Sequence, residues 1–396
     1  MYYDKHNFLF YCCYFAPGYE TGAIRPTKLA KYFSKYNQNI IVLTQASLEE
    51  KNKDLLIGVE KLKIFRIPVK CKFLINDLGF WFAIATYKKL KQLIKNHKIE
   101  YLFVSGPPFA PFICAYYLAK RYNLKLIIDY RDLWYGDPYS IVSIKDYFFR
   151  MLGRILEKKI MKQALKVNFI SHNMMRDQKI IFGNIKNSIV ISTGVDSDDL
   201  NLINKNIYFN FLARNNLNHE EKIFYYIGTL DETECSKDFF NIILSLSSNR
   251  VYDFKIYFIG KNKFNLNKFP KFKSLEAKIK FIPNEDVRVI KNIIKYSCGT
   301  IILGGYANQR LNRKVFENLL LTNNIFFLGS ADSPSYKLLN KFGISCLATD
   351  LDNNKEKIEK FQKFIGTQNT LTKPHINLKN FYKSEISKDF LSRILE

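Results

Sequence analysis

The chain has 396 residues, and because domains usually span about 100–200 residues, it is expected to form two domains rather than one. Its composition, with 47% hydrophobic, 15% aromatic and 24% charged residues, excludes a disordered, collagen-like or coiled-coil chain. The 61 Lys and Arg residues outnumber the 36 Asp and Glu residues, which gives a formal net charge of +25 and points to an anionic partner.

The excess of basic residues has several explanations. An anionic membrane surface, polyanionic small molecules and nucleic acid are all partners for a basic protein. A bias of the whole sequence toward Lys, Asn, Ile, Phe and Tyr would give the same charge without any partner. The basic residues are spread along the chain and accompany no RNA- or DNA-binding motif, so no nucleic-acid partner is predicted. A membrane surface is favoured, with the compositional bias as its alternative.

The chain contains seven cysteines, most of them in apolar settings such as FLFYCCYF, and no pair has the spacing of a zinc site. Free, buried thiols in a reducing compartment are therefore expected. No signal peptide is predicted, since the apolar run Phe8–Ala16 follows Asp4 and leads into a loop. The uncharged stretch Tyr101–Ala119 is interrupted by three prolines, so it predicts a strand, a loop and a helix rather than a membrane span. We expect a cytoplasmic protein that is peripheral on the inner face of the cell membrane.

Short apolar runs alternate with amphipathic helical segments along the chain. Most runs are continuously hydrophobic, as in parallel strands that helices cover on both faces. The predicted strands are Phe8–Phe15, Asn39–Thr44, Leu62–Ile67, Tyr101–Ser105, Leu124–Tyr130, Val167–Ser171, Ser188–Ser192, Ile223–Gly228, Phe254–Gly260, Ile279–Ile282, Thr300–Leu303, Ile325–Leu328 and Ile344–Ala348. The predicted helices include Pro26–Tyr36, Phe82–Asn96, Pro111–Tyr122, Lys145–Ala164 and Phe381–Glu396. Such alternation predicts doubly wound domains that bind ligands at the carboxyl ends of their strands.

The segment Asp196–Glu221 marks the best domain boundary, because it is rich in Asn and charged residues and shows no clear period. We predict one domain over residues 1–200, a second over 201–380, and a closing helix over 381–396 that can cross back to the first domain. The predicted fold class is α/β, with two Rossmann-like, doubly wound parallel-sheet domains facing each other across a cleft.

The first candidate site follows the first strand. The loop Ala16–Ala23 contains Gly18 and Gly22 and leads into a helix predicted to open at Arg25 and Pro26. Glycines allow the backbone to approach a phosphate closely, and proline is tolerated in the first turn of a helix. The glycine spacing is not G-x-G-x-x-G, so an ordinary strand-to-helix turn remains the alternative.

The second candidate site lies in the segment Leu303–Asn324. Arg310, Lys314 and Glu317 share one face of a helix that follows Gly304 and Gly305. A diphosphate would find the positive end of a helix dipole and basic side chains there, and Glu317 could accept hydrogen bonds from ribose hydroxyls. The alternative is a solvated helix face with an ion pair between Arg313 and Glu317, four residues apart.

The third candidate site is the sequence Asp129-Tyr130-Arg131-Asp132 at the end of a buried strand. We assign Asp129, Arg131 and Asp132 as candidate catalytic residues. Asp132 could act as a base toward a hydroxyl, and Arg131 could hold an anionic group. A structural pair between Arg131 and Asp132 that caps the next helix is the alternative.

In this order, the sites resemble those of family-four retaining glycosyltransferases, which have the GT-B fold. The similar stretches are YFAPGYETGAIRPTKLAKYF, VSGPPFAPFICAYYLAKRY, LIIDYRDLWY, IVISTGVD, FYYIGTL and NRKVFENLL, which together span most of residues 8–330. Members that build capsule, lipopolysaccharide or O-antigen chains commonly carry such RDLW and K-x-x-E segments. The resemblance implies that the second domain binds a nucleotide-sugar.

The resemblance also implies roles for individual residues. Gly22 would meet the donor diphosphate, Lys237 and Lys314 would neutralise it, and Glu317 would bind the donor ribose. Gly228 and Thr229 follow the strand that opens the second domain and belong to the same donor site.

Three positions depart from the pattern of the family. Arg131 stands where many relatives have a histidine that contacts the transferred sugar. Gln309 replaces the first of two glutamates spaced eight residues apart, and Thr229 replaces an arginine that usually follows the Gly228 strand. Neutralisation of the diphosphate would then depend on the basic residues Lys237, Arg310 and Lys314.

The function implied is that of a hexosyltransferase, which moves a sugar with retention from a nucleotide diphosphate sugar to a lipid-linked saccharide or another surface-polysaccharide acceptor. No metal or other cofactor is expected, because cations can stabilise the leaving diphosphate and no convincing Asp-x-Asp pair is present. One alternative is a nucleotide-sugar 2-epimerase of similar architecture. Another is a non-catalytic partner of polysaccharide assembly that binds sugar or membrane.

Two segments of the first domain are candidates for the membrane surface. One runs from Phe80, Trp81 and Phe82 to Lys98, and the other from Phe148 and Phe149 to Lys166. Each combines clustered cations with large apolar side chains, the pattern of a helix that lies in the membrane interface. The sequence therefore predicts that anionic head groups attract the first domain.

Overall fold

The computed structural model of the chain describes residues 3–18, 21–46, 56–59, 62–70, 77–135, 144–247, 253–306, 311–367 and 378–396, without the side chains of 21 and 144–152. The chain divides into two compact units. The first comprises Met1–Thr193 and Tyr382–Glu396, and the second comprises Gly194–Phe381.

The first unit is built on a seven-stranded parallel sheet of order β3-β2-β1-β4-β5-β6-β7. Its strands are β1 (Asn7–Tyr11), β2 (Asn39–Gln45), β3 (Lys63–Ile67), β4 (Tyr101–Gly106), β5 (Lys125–Tyr130), β6 (Lys166–Phe169) and β7 (Ser188–Val190). The central strands β1, β4 and β5 are almost entirely buried, because helices cover both faces of the sheet.

Helices of the first unit form two layers, one on each face of this sheet. One layer contains α2 (Leu78–Asn96), α3 (Ala110–Tyr122), α4 (Ile144–Gln163) and α5 (His172–Phe182), and the other contains α1 (Thr21–Lys35) and α12 (Lys383–Leu395). The α2–α5 layer packs on the sheet through a cluster that includes Phe82, Phe112 and Met161. The opposite layer packs through a second cluster that includes Phe33 and Phe390.

The second unit contains a six-stranded parallel sheet of order β10-β9-β8-β11-β12-β13. Its strands are β8 (Ile223–Ile227), β9 (Lys255–Ile259), β10 (Ile279–Ile282), β11 (Gly299–Gly305), β12 (Ile325–Gly329) and β13 (Leu347–Thr349). Its α-helices are α6 (Lys205–Arg214), α7 (Glu234–Ser247), α8 (Val287–Tyr296), α9 (Arg313–Leu321), α10 (Pro334–Lys341) and α11 (Asn354–Gly366). The α/β fold class predicted from the sequence is confirmed.

One local prediction is wrong, and one helix was not predicted. Helix α1 begins at Thr21, so that Gly22 lies in its first turn and Pro26 lies inside the helix. Proline at this position removes only the hydrogen bond from its own nitrogen to the Gly22 carbonyl, so it does not fix the start of the helix. The segment Asp196–Glu221, which shows no clear period in the sequence, contains the helix α6, which was not predicted.

Among the described residues, no helix combines the length and the apolar character that crossing a membrane requires. The six described cysteines, which exclude Cys71, are free thiols, and Cys12, Cys13, Cys235 and Cys346 are buried. Burial raises the pKa of the Cys12 and Cys235 thiols to about 12.

Candidate functional site

Asp129 lies at the end of β5, inside a buried polar network rather than at an accessible edge. Its carboxylate is fully buried and accepts two hydrogen bonds from Arg25 Nε, at 3.1 and 3.0 Å, and one from Arg25 Nη2 at 3.0 Å. Ser105 Oγ and Asn168 Nδ2 each donate to it at 2.7 Å. Asp129, predicted as a catalytic residue, is buried and fully engaged in this network, which is the environment of a structural ion pair.

The network ties three parts of the first unit together. Arg25 comes from α1 and also donates to the carbonyl oxygens of Ser192 at 2.7 Å and Ile191 at 3.0 Å. Burial alone would raise the pKa of Asp129, but the charge of Arg25 and the hydrogen bonds to the carboxylate hold that pKa below its usual value. Removing either partner would leave an uncompensated buried charge, which typically costs about 3–5 kcal/mol. The ion pair thus fixes the strand end from which the RDLW segment departs.

Arg131, two residues later, lies against the first turn of α1. Its Nη2 donates to the Pro107 carbonyl oxygen, and a Cβ placed on Gly22 would overlap its Nη1 and the ring of Tyr14. Burial lowers the pKa of the Arg131 guanidinium while nearby carboxylates oppose that effect, so the group stays cationic in the neutral range. The structure brings the predicted residues Gly22 and Arg131 together, with Asp132 partly exposed beside them.

The backbone of Tyr135 is held from both sides by buried side chains that the sequence analysis missed. Glu157 Oε2 on α4 accepts from the Tyr135 N–H at 3.1 Å, and Gln178 Nε2 on α5 donates to the Tyr135 carbonyl at 2.7 Å. The neighbouring Trp134 stacks on Phe109 with ring centroids 5.6 Å apart. Burial raises the pKa of Glu157 to about 8, so this carboxyl is mostly protonated at neutral pH. These contacts hold the end of the RDLWY segment.

In the second unit, Lys314 lies at the beginning of α9, whose N-cap is Asn312. The Asn312 side chain accepts a hydrogen bond from the Lys314 N–H at 3.0 Å. Lys314 Nζ lies 4.7 Å from the centroid of the Tyr226 ring. A Cβ on Gly228 would overlap the same Nζ, and the φ of 134° at Gly228 also favours glycine. The structure therefore places Lys314 beside Gly228 at the carboxyl end of β8.

The charge of Lys314 is poorly solvated in this position. Burial, together with the neighbouring charge of Arg313, lowers the pKa of Lys314 to about 8, although Glu317 and Asp231 oppose the shift. The cation contacts an aromatic face at the positive end of α9, where an anion would be attracted both by the ammonium and by the helix dipole. This arrangement suits a phosphate group.

Glu317 lies one turn after Arg313 and forms an ion pair with it. This pair was predicted by the alternative interpretation of α9 as a solvated helix face. Glu317 Oε1 lies 3.5 Å from Arg313 Nε, and the two side chains are 18% and 29% exposed. Arg313 Nη1 is buried without a hydrogen-bond partner among the described residues. Glu317 is held in place by this pair, and its carboxylate stays partly exposed beside the start of α9.

Lys237 and Thr229 are less closely associated with Lys314. Lys237 Nζ lies 2.7 Å from Glu234 Oε1, a carboxylate that is 74% exposed, and this hydrogen bond raises the pKa of Lys237. Thr229 is exposed, and its carbonyl oxygen accepts from the Tyr226 hydroxyl at 2.7 Å. Arg310 and Gln309 lie outside the described residues. Of Lys237 and Lys314, the two predicted basic donor residues that the structure describes, Lys314 lies beside Gly228.

A second polar cluster at the end of β11 was not predicted. The Tyr306 hydroxyl donates to Asp238 Oδ2, which lies 3.0 Å from Lys357 Nζ. Burial raises the pKa of Tyr306, as does the hydrogen bond to Asp238. The cluster closes the carboxyl end of β11 next to Gly304 and Gly305. In the part of the chain that the structure describes, no group of three or more His, Cys, Asp or Glu is arranged to hold a metal ion.

Comparisons with known proteins identify the fold. No family model matches the sequence, and no curated protein matches it. A glycosyltransferase from Rickettsia africae ESF-5 superimposes with a TM-score of 0.67 at 14% sequence identity, over 99% of this chain and 98% of that chain. Alr3699/HepE from Anabaena, in complex with UDP-glucose, gives a TM-score of 0.66 at 13% identity, over 98% of each chain.

A different enzyme class is also similar. The UDP-GlcNAc 2-epimerase from Neisseria meningitidis bound to UDP-GlcNAc gives a TM-score of 0.56 at 13% identity, over 98% of this chain and 99% of that chain. At these identities the similarity establishes the fold alone. The chain has the two-domain GT-B fold that the sequence predicted.

Proposed function

We propose that this protein is a retaining glycosyltransferase of the hexosyltransferase type, which moves a sugar from a nucleotide diphosphate sugar to a lipid-linked saccharide or another saccharide acceptor of surface-polysaccharide synthesis. The observation that carries the proposal is the position of Lys314, which lies at the N-terminus of α9 and against Gly228 at the end of β8. Two proteins of the same fold have been solved in complex with UDP-glucose and with UDP-GlcNAc. A uridine diphosphate sugar is therefore the first donor to test.

The proposed chemistry is stabilisation of the departing diphosphate. As the bond between the sugar and the phosphate breaks, negative charge develops on the phosphate oxygen that leaves. Lys314 and the N-terminal end of α9 would stabilise that charge, and preorganised groups of this kind commonly supply the largest part of the rate enhancement. Glu317, steadied by Arg313 at 3.5 Å, would accept hydrogen bonds from the donor ribose. The scheme needs no resident metal.

In the first unit, Arg131 and the first turn of α1 would bind a further part of the substrates. The guanidinium lies beside Gly22, where only a residue without a Cβ leaves it room. Asp132 is partly exposed and would contact the acceptor hydroxyl. In a retaining reaction on one face of the sugar, the leaving phosphate oxygen takes the proton of the acceptor hydroxyl. Asp132 would therefore orient that hydroxyl and need not act as the general base.

A nucleotide-sugar 2-epimerase is the second candidate function, and the similarity to the Neisseria enzyme favours it. It would use the same donor site without an acceptor. The two candidates differ in their products, because an epimerase changes the configuration at C2 of the sugar, whereas a transferase forms a new glycosidic bond.

Isothermal titration with UDP tests the donor site. Lys314→Ala should weaken UDP binding by about 1–3 kcal/mol, the range for a lost charge-assisted hydrogen bond. Lys222→Ala is the matched control, because Lys222 is exposed at the amino end of β8, the end opposite Gly228, and its loss should leave the affinity unchanged. Equal UDP affinity in the parent and in Lys314→Ala would refute the donor assignment.

Turnover separates the three functional classes. Incubation with UDP-sugars and a saccharide acceptor, followed by NMR of the products, should show a new glycosidic bond with the donor's anomeric configuration. A C2 epimer formed without acceptor would establish the epimerase instead. UDP binding without turnover of any sugar nucleotide tested would favour a non-catalytic partner.

A further inference from the structure

The outward surface of the α2–α5 layer exposes apolar side chains on all four helices. They are Ile84 and Tyr87 on α2, Tyr117 on α3, Ile155 on α4 and Ile180 on α5. Ile180 is 76% exposed, and the other four are between 43% and 55% exposed. They lie on the side of the helices opposite the core, so packing within the unit does not account for them. We call this surface the α2–α5 face.

The same face is strongly basic. Its exposed cations are Lys88, Lys95, Lys120, Arg121, Lys158, Lys159, Lys162 and Arg176. Neither α2 nor α3 contains an acidic residue. On α4, Glu157 is buried beneath the helix, and on α5, Asp177 pairs with Arg176 at 3.2 Å. Little negative charge therefore opposes these cations on the described side chains of the face.

We propose that the α2–α5 face docks on an anionic lipid bilayer. Exposed Ile and Tyr side chains beside Lys and Arg are the composition of a surface that lies in a membrane interface. The apolar side chains are dispersed over four helices of one layer instead of gathered in a groove, which fits a planar partner. The charge is complementary to anionic head groups, whose attraction for each basic residue adds up over such a surface.

The proposed apolar contacts differ in part from those that the sequence predicted, of which Phe80 and Trp81 are partly exposed. Phe82 was expected to touch the acyl region, but it is fully buried against the sheet. Phe148 and Phe149 fall among the residues whose side chains are not described. The apolar contacts would instead come from Ile84, Tyr117 and Ile180, which become apparent only when the fold shows the outward side of each helix.

Vesicle co-sedimentation tests the proposal and does not depend on the donor site. Binding should be strong to vesicles containing phosphatidylglycerol, weak to phosphatidylcholine alone, and much reduced at high salt. Replacing Lys158, Lys159 and Lys162 with Glu should lower the partition coefficient by at least roughly 100-fold, since the loss of each cation near an anionic surface alone contributes about fivefold and the new carboxylates are repelled. The matched control replaces the exposed Lys261, Lys271 and Lys273 of the second unit with Glu, which changes the net charge equally.

A double variant tests the contribution of the apolar side chains to vesicle binding. Tyr117→Ser combined with Ile180→Ser should remove the binding that persists at high salt. Circular dichroism and UDP titration of every variant show whether it is folded. An equal loss in both triple variants would show that net charge alone attracts the protein to vesicles, and it would overturn the proposal. An absence of vesicle binding, or equal binding to neutral and anionic vesicles, would also overturn it. If the parent protein binds UDP but does not bind vesicles, the membrane face is refuted and the proposed function still stands.

Discussion

At the scale of the single residue, the proposed donor role of Lys314 would couple ligand binding to protonation. Burial against Tyr226 lowers the pKa of Lys314 to about 8, so the side chain is only partly protonated just above neutral pH. A bound diphosphate would bring negative charge next to the ammonium and raise the pKa again. The protein should therefore take up protons when it binds a nucleoside diphosphate near pH 8, and the affinity should fall as the pH rises through that range.

This coupling predicts a specific pH profile. UDP affinity should fall above pH 8 and approach a loss of about tenfold per pH unit, the slope for one proton bound with the ligand. Titration in two buffers of different ionisation enthalpy would measure the proton uptake directly. Lys314→Arg is the matched variant, because a guanidinium stays protonated throughout and should remove both effects. A parent affinity that does not change between pH 7 and pH 9.5 would contradict the role assigned to Lys314.

At the scale of the element, the RDLWY segment is held by two helices. Glu157 on α4 and Gln178 on α5 bind the N–H and the carbonyl of Tyr135, at 3.1 and 2.7 Å. The folded-state pKa of Glu157 is about 8, above the ordinary carboxyl value of 4.5. The folded protein thus holds a proton that the unfolded chain releases, and this contribution to stability declines as the pH rises from about 4.5 to 8.

Two substitutions of Glu157 separate the hydrogen bond from the ionisation. Glu157→Gln keeps an acceptor for the Tyr135 N–H, so it should match the parent near pH 4.5 and become relatively more stable toward pH 8. Glu157→Leu leaves that N–H unpaired and should lower the free energy of unfolding by about 1–3 kcal/mol near pH 5, where protonation of the parent carboxyl costs little. Urea denaturation between pH 5 and pH 8 measures both effects. A stability difference between Glu157→Gln and the parent that does not change with pH would show that Glu157 ionises normally.

The sequence predicted strands better than it predicted helix ends and buried polar groups. All thirteen predicted strands correspond to observed ones, because buried parallel strands leave continuous apolar runs in the sequence. Helix α6 was missed, since its buried Tyr208, Phe211 and Leu212 lie among Asn and Lys residues that hide the period. Glu157 was also missed, because a glutamate in the run LEKKIMK would normally face solvent.

At the scale of the whole molecule, the sequence predicted an anionic partner and two contacting segments of the first domain, without showing which of their side chains face outward. The net charge of +25 belongs to the complete chain and is equally compatible with a compositional bias. The fold adds the missing information, because the sheet order places α2–α5 together on one face and brings their exposed side chains into one layer. The proposed donor residues Lys314 and Gly228 belong to the other compact unit. The membrane and the donor are therefore proposed to bind different units.

Hydrogen exchange can test this division of roles in one protein. UDP should slow amide exchange at the end of β8 and the start of α9, because ligand contact restricts local opening there. It should leave the amides of α2–α5 unchanged. Vesicles containing phosphatidylglycerol should slow exchange at the exposed ends of α2–α5, and phosphatidylcholine vesicles provide the control. Protection of α9 by anionic vesicles without UDP would place the anion-binding surface on the second unit, and protection of α2–α5 alone by UDP would place the nucleotide on the first.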